Sequence, residues 1–133
     1  MLYKPLLTSA RKELSMRMLV VDDDLASLGT LCTMLRTQGH QVDTAESAEI
    51  GIRMMRLTPY EVIFLDYNMP GHNGEWFIRN APVPPETSVI LVSGFLTPMA
   101  MANFRQLGIE VMITKPFTLV ALQGCLSNIL NAA

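Results

Sequence analysis

The chain has 133 residues, half of them hydrophobic and 17% charged, which suits one domain with one core and excludes a disordered segment. Its formal net charge is -2, but four of the ten basic residues (Lys4, Arg11, Lys12, Arg17) and one of the twelve acidic residues (Glu13) fall in the first 17 positions, leaving six basic against eleven acidic in the body. Such a body has no surplus of cations for nucleic-acid phosphates and is better suited to a hard cation.

Two cysteines, Cys32 and Cys125, each sit in an apolar, helix-like segment, which reads as buried thiols in a reducing compartment. No run approaches the roughly 18 apolar residues that a membrane span needs. Residues 1–15 lack a signal-peptide layout, because their apolar patches are short and broken by charge. A cytoplasmic location and no membrane contact are expected.

Residues 18–21 form a β-like run that ends at three aspartates. Leu25, Leu28, Leu31, Cys32 and Leu35 then recur at helical spacing until Gly39 stops the helix. Residues 41–45 read as a short strand. Ser47 caps a helix carrying Ile50, Ile52, Met54 and Met55, which Pro59 ends. Residues 62–65 are the most apolar strand and lead straight into Asp66. Residues 69–74 are a loop by composition, 75–80 a short helix, and Pro82, Pro84 and Pro85 a connection. Residues 89–92 are strand-like, 98–107 fit a Met-rich helix closed by Gly108, 111–114 are a last strand and 119–130 a last helix. Near-continuous apolar strands alternating with helices imply an α/β fold, a parallel sheet covered on both faces.

In such sheets ligands bind beyond the carboxyl ends of the strands. The first strand ends at Asp22, Asp23 and Asp24, the third at Asp66, the fourth at Ser93 and the fifth at Lys115 followed by Pro116. Clustered carboxylates repel one another and call for a divalent cation. Oxygen-only ligands favour Mg²⁺, whose shell a phosphate often completes. A carboxylate is also a nucleophile able to form an aspartyl phosphate. Lys115 would pair with the phosphoryl oxygens and Ser93 would donate its hydroxyl to the same group.

The runs Leu-Val-Val-Asp-Asp-Asp, Ile-Phe-Leu-Asp-Tyr-Asn-Met-Pro-Gly-x-x-Gly, Val-Ile-Leu-Val-Ser-Gly and Thr-Lys-Pro-Phe together resemble the response regulator receiver family of two-component signal transduction, over residues 18 to about 130. The resemblance implies a flavodoxin-like three-layer sandwich with five helices and sheet order 2-1-3-4-5. It implies that Asp66 accepts a phosphoryl group from a histidine kinase or histidine phosphotransfer protein. Mg²⁺ would be held by Asp23 directly, Asp22 mainly through water, Asp66, and the backbone carbonyl of Asn68. Ser93 would be the switch hydroxyl, and the bond between Lys115 and Pro116 would be cis. A downstream protein would dock on the face of helix four, strand five and helix five, where Met99 and Met101 lie, with a homodimer through that face left open. Such a domain catalyses only its own phosphorylation and dephosphorylation.

Other roles are structural. Asp24 reads as a helix N-cap, Gly74 as a backbone requirement, His40 and His72 as surface residues, and Trp76 as packing near the active-site loop. Two departures from the family's pattern stand out. Met112, three before Lys115, replaces the usual Tyr or Phe, so phosphorylation is expected to shift the output face more weakly or by another route. The segment from Asp66 to Ser93 is also short, which curtails the third helix. Phe95, two after Ser93, is placed to shade the phosphoryl group from water, predicting a long-lived acyl phosphate.

Residues 1–15 are an N-terminal extension or the remnant of a preceding domain, with the receiver over 16–133. Leu2-Tyr-Lys-Pro-Leu-Leu resembles the last strand of another receiver, which would make the chain part of a tandem protein such as a hybrid sensor kinase, then a histidine kinase as a whole. A stand-alone regulator is the other reading. A haloacid-dehalogenase-type phosphatase would use Asp22 and Asp24, but it needs a late acidic pair, and no Asp or Glu follows Glu110. It would also leave Asp66 unexplained. A pseudo-receiver is opposed by the complete acidic set.

Overall fold

The computed structural model describes residues 15–132. The reading of the preceding segment as part of another domain lies outside the described residues. Five strands alternate with five helices: β1 (Arg17–Val21), α1 (Leu25–Thr37), β2 (Gln41–Ala45), α2 (Ala48–Leu57), β3 (Val62–Asp66), α3 (Gly74–Asn80), β4 (Ser88–Ser93), α4 (Pro98–Gln106), β5 (Val111–Thr114) and α5 (Leu119–Ala132). All neighbouring strands are parallel, in the order β2-β1-β3-β4-β5. The α/β reading and the strand order both hold.

The sandwich follows from strand geometry. Successive side chains point to opposite faces. Met18 and Val20 of β1 therefore join Leu28, Leu31 and Leu35 of α1 and Leu122 and Leu126 of α5 in one core. Leu19 and Val21 join Ile52 of α2, Phe77 of α3 and Phe104 of α4 in the other. All five residues of β3 are buried, because that strand is covered on both faces. Periodicity misplaced some depths. Leu25 and Ile50 share the expected helices, yet they are 64% and 37% exposed. Cys32 is buried, whereas Cys125 is only half-buried.

Each helix starts on a side chain that accepts a free N–H of the first turn. Asp24 accepts from Ala26, Ser47 from Ile50, Asn73 from Trp76, Thr97 from Ala100 and Thr118 from Ala121. After α1 and α4 the chain turns at Gly39 and Gly108, with φ of 94° and 89°, a conformation that disfavours any residue with a Cβ. No described helix is long and apolar enough to cross a membrane.

At the far end of the sheet from the strand carboxyl ends, His40 is half-buried rather than a free surface residue. Its Nδ1 accepts the Met16 N–H at 3.1 Å. Burial holds its pKa below the ordinary imidazole value, with Glu61 opposing. The folded chain therefore takes up this proton later than the unfolded chain as pH falls. The stabilisation is complete above the unfolded pKa and is lost as pH drops through about 6.5. His40→Asn keeps an acceptor without a titration. In thermal melts, the wild type is expected to lose more Tm than this variant between about pH 7.5 and pH 5; parallel losses would contradict it.

Candidate functional site

The carboxyl ends of β1, β3, β4 and β5 converge on one edge. Asp22 follows β1, Asp66 ends β3, Ser93 ends β4 and Lys115 follows β5. Among the described residues, the three polar ones buried below one-tenth exposure all belong to this group: Asp22 at 4%, Asp66 at 6% and Ser93 at 1%. Lys115 Nζ lies 2.8 Å from Asp22 Oδ2 and 3.2 Å from Asp66 Oδ1. It thus bridges residues 93 and 49 positions away in sequence. Carboxylate oxygens of Asp22, Asp23 and Asp66 lie within 4.8 Å of one another, with Asp23 exposed to solvent.

Burial is the main cause that pushes the Asp66 carboxyl up to about 6, with repulsion from Asp22 next and Lys115 opposing. Burial would lower the Lys115 pKa, yet the hydrogen bond to Asp22 and the charge of Asp66 raise it on balance. Asp22 receives further support, since its Oδ1 accepts the Asp24 N–H at 2.9 Å. Asp24 itself is the cap of α1. It accepts the Ser27 hydroxyl at 2.7 Å, and that bond holds its carboxyl below the usual range. Asp24 is outside the carboxylate cluster, as its sequence position implied.

The Ser93 hydroxyl donates to the Phe95 carbonyl at 3.0 Å and accepts the Phe95 N–H at 3.3 Å. Phe95 itself is 75% exposed and does not line the cavity beside Asp66. That cavity, about 390 Å³, runs from Asp22, Asp66 and Lys115 towards Ser27 and Thr30 of α1 and Pro116. The bond between Lys115 and Pro116 is cis. Asn68 lies exposed in the loop leaving β3.

That loop folds tightly on the site. A Cβ on Gly74 would stand 3.1 Å from the Asp66 carbonyl oxygen and 3.2 Å from Tyr67 Cα, so the glycine is required by close approach. His72 is exposed and stacks on Trp76, ring centroids 3.7 Å apart. Sequence reasoning passed over Tyr67, whose ring meets Phe104 of α4 edge-on. Its only signal was its place directly after Asp66.

A doubly wound parallel sheet with an acidic cluster, a buried serine and a bridging lysine at its strand ends defines a receiver-type α/β domain. The response regulator receiver domain family matches residues 18–126, and the chain belongs to it. Sensory/regulatory protein RpfC of Xanthomonas campestris pv. campestris is 30% identical over 130 residues, covering 94% of this chain and 18% of the relative. The cell cycle transcriptional regulator CtrA of Caulobacter vibrioides is 30% identical over 103 residues, 77% of this chain and 45% of that protein. The chain thus spans less than half the length of these curated relatives. Among solved structures, the chemotaxis protein CheY4 of Vibrio cholerae superposes with a TM-score of 0.81 at 21% identity, over 86% of this chain and 98% of that one. The signal receiver domain of a signal transduction histidine kinase from Syntrophus aciditrophicus gives 0.77 at 24% identity, over 90% and 92%. The chain has the phosphoacceptor role of this family in two-component signalling, a family whose receiver domains interact with histidine kinases or phosphotransfer proteins.

The raised Asp66 pKa has a consequence for stability. Ionised Asp66 costs the fold free energy above about pH 6, a cost that fades as pH falls towards the unfolded carboxylate value near 4. In metal-free protein at pH 7.5, Asp66→Asn is therefore expected to raise Tm by about 5 °C. The gain should shrink on acidification to about pH 4.5. A variant less stable than wild type at pH 7.5 would contradict this.

Proposed function

We propose that Asp66 is the phosphoacceptor of this receiver and that Lys115 and Ser93 complete its reacting site. The observation that carries the reading is the Lys115 ammonium between Asp22 and Asp66, 2.8 and 3.2 Å away. A carboxylate oxygen of Asp66 attacks the phosphorus of a partner's phosphohistidine. The P–N bond breaks, its electron pair stays on the imidazole nitrogen, and an acyl phosphate forms on Asp66. Lys115 is within reach of the incoming phosphoryl oxygens and keeps one anionic partner, Asp22, throughout. The Ser93 hydroxyl must leave the Phe95 carbonyl to donate to the phosphoryl group.

The donor set fits Mg²⁺, being three carboxylates with oxygen ligands only and a single ammonium to balance them. Asp22, Asp23 and Asp66 would hold it, with the backbone carbonyl of Asn68. Bound there, the ion supplies charge neutralisation for phosphoryl transfer. The chain catalyses only its own phosphorylation and dephosphorylation. A hybrid sensor kinase built around it would be a histidine kinase as a whole. It works in the cytoplasm and signals to a protein through the face of α4, β5 and α5, where Met99 stands 76% exposed, or through a homodimer on that face. It contacts neither nucleic acid nor membrane itself.

Acetyl phosphate or phosphoramidate with Mg²⁺ is expected to label the chain. The label should map to Asp66, be abolished in Asp66→Asn or by a chelator, and persist only weakly in Asp22→Asn. Turnover of a phosphate ester, with labelling indifferent to Asp66→Asn, would instead favour the dehalogenase-type phosphatase.

A further inference from the structure

The residue after the acceptor carries a contact that the chemistry above does not use. Tyr67 is pinned through its main chain, its N–H donating to the Val92 carbonyl at 3.1 Å and its carbonyl accepting the Gly74 N–H at 3.0 Å. Its half-buried ring meets Phe104 edge-on, with centroids 5.2 Å apart and planes at 75°. Phe104 is 2% exposed, and it is the one buried residue of α4. The seat of α4 on the sheet is therefore the ring that Tyr67 touches. The Phe104 carbonyl also accepts the N–H groups of Leu107 and Ile109, both at 3.0 Å. A shift of Phe104 is thus passed into the turn that leads to β5.

At the position where the family's pattern places an aromatic ring, this chain has Met112, half-buried and packed on the same core as Tyr67 and Phe104. It has no ring to rotate and no hydroxyl to expose. The geometry points to Tyr67 as the element that carries the state of Asp66 to α4, by pressing its ring on Phe104. This rests on Asp66 being the phosphoacceptor. A phosphoryl group on Asp66 adds bulk and charge one peptide away from a residue whose backbone is clamped on two sides, which leaves the aromatic contact to take up the change. Packed interfaces of this kind pass small displacements on because they have discrete arrangements.

The test uses Mg²⁺ with beryllofluoride as the phosphoryl mimic, amide NMR shifts across residues 97–108 as the response, and labelling by acetyl phosphate as a separate readout. Tyr67→Leu and Phe104→Leu each keep an apolar side chain but remove one ring. Both are expected to label within about twofold of wild type and to lose at least about half of the shift across α4, with the double variant no worse than either single one. Tyr67→Phe keeps the ring and should keep the response. If the α4 shifts survive Tyr67→Leu and Phe104→Leu in chains that still label, the inference fails and the phosphoacceptor reading stands. A wild-type chain that takes no label on Asp66 removes both.

Discussion

One ammonium group, Lys115 Nζ, stands between two buried carboxylates, Asp22 and Asp66, whose oxygens lie within 4.8 Å of those of a third, Asp23. A single positive charge cannot satisfy three negative ones at that range, and burial strengthens what is left over. The deficit falls unevenly. Asp22 accepts both from Lys115 and from the Asp24 N–H, whereas the side chain of Asp66, among the described residues, accepts only the longer Lys115 contact. This asymmetry separates a carboxylate with two donors from one with a single, longer one, and it coincides with the raised pKa of Asp66.

Holding such a cluster together is work for the rest of the fold. Asp22 and Lys115 of the site, and Tyr67 next to Asp66, sit one step past the regular strands yet continue the ladder. Asp22 N–H donates to the Ala45 carbonyl at 3.0 Å, Tyr67 N–H to Val92 at 3.1 Å, and Lys115 N–H to Ser93 at 2.8 Å. The main chain is thereby fixed at the point where the charged side chains leave it, and little freedom remains for the carboxylates to move apart. Cores on both faces of the sheet supply the apolar burial against which this local repulsion is set.

Much of this was legible in the order of residues, for identifiable reasons. Strand runs buried on both faces lose their polar alternation, so the strands and the chemistry at their ends could be read directly. Asp24 could be placed as a cap because its residue type and its position before Leu25 agree. Depth was harder. A helical period names a face but not how far along it the neighbouring layer extends, which is why Leu25 lies outside. His40, in the turn before β2, lies partly inside because its ring accepts the distant Met16 N–H. Contacts between distant side chains were not legible either. The Lys115–Asp22 pair spans 93 positions and depends on register and side-chain direction together. Tyr67 against Phe104 is the same case, since neither residue type marks the other as its partner.

The contact of Tyr67 with Phe104 and the bonds between Ser93 and Phe95 bear on how α4 is held. Its first turn is capped by Thr97, two residues beyond Phe95, whose peptide N–H and carbonyl are both engaged by the Ser93 hydroxyl. Its far end is anchored by Phe104 against Tyr67. The helix is therefore tied to the carboxyl edge of the sheet at two points, one through the Ser93 hydroxyl, which on the proposed function phosphorylation would call away, and one through the ring that follows Asp66. Loosening the first alone would free the entry to α4 while its buried anchor stayed in place, giving a pivot. Moving the second alone would shift the anchor and the turn into β5 while the entry stayed capped. With Met112 offering no ring of its own, the position of α4 is set by the balance of those two ties, so a substitution at either end should change the direction of its movement as well as the extent.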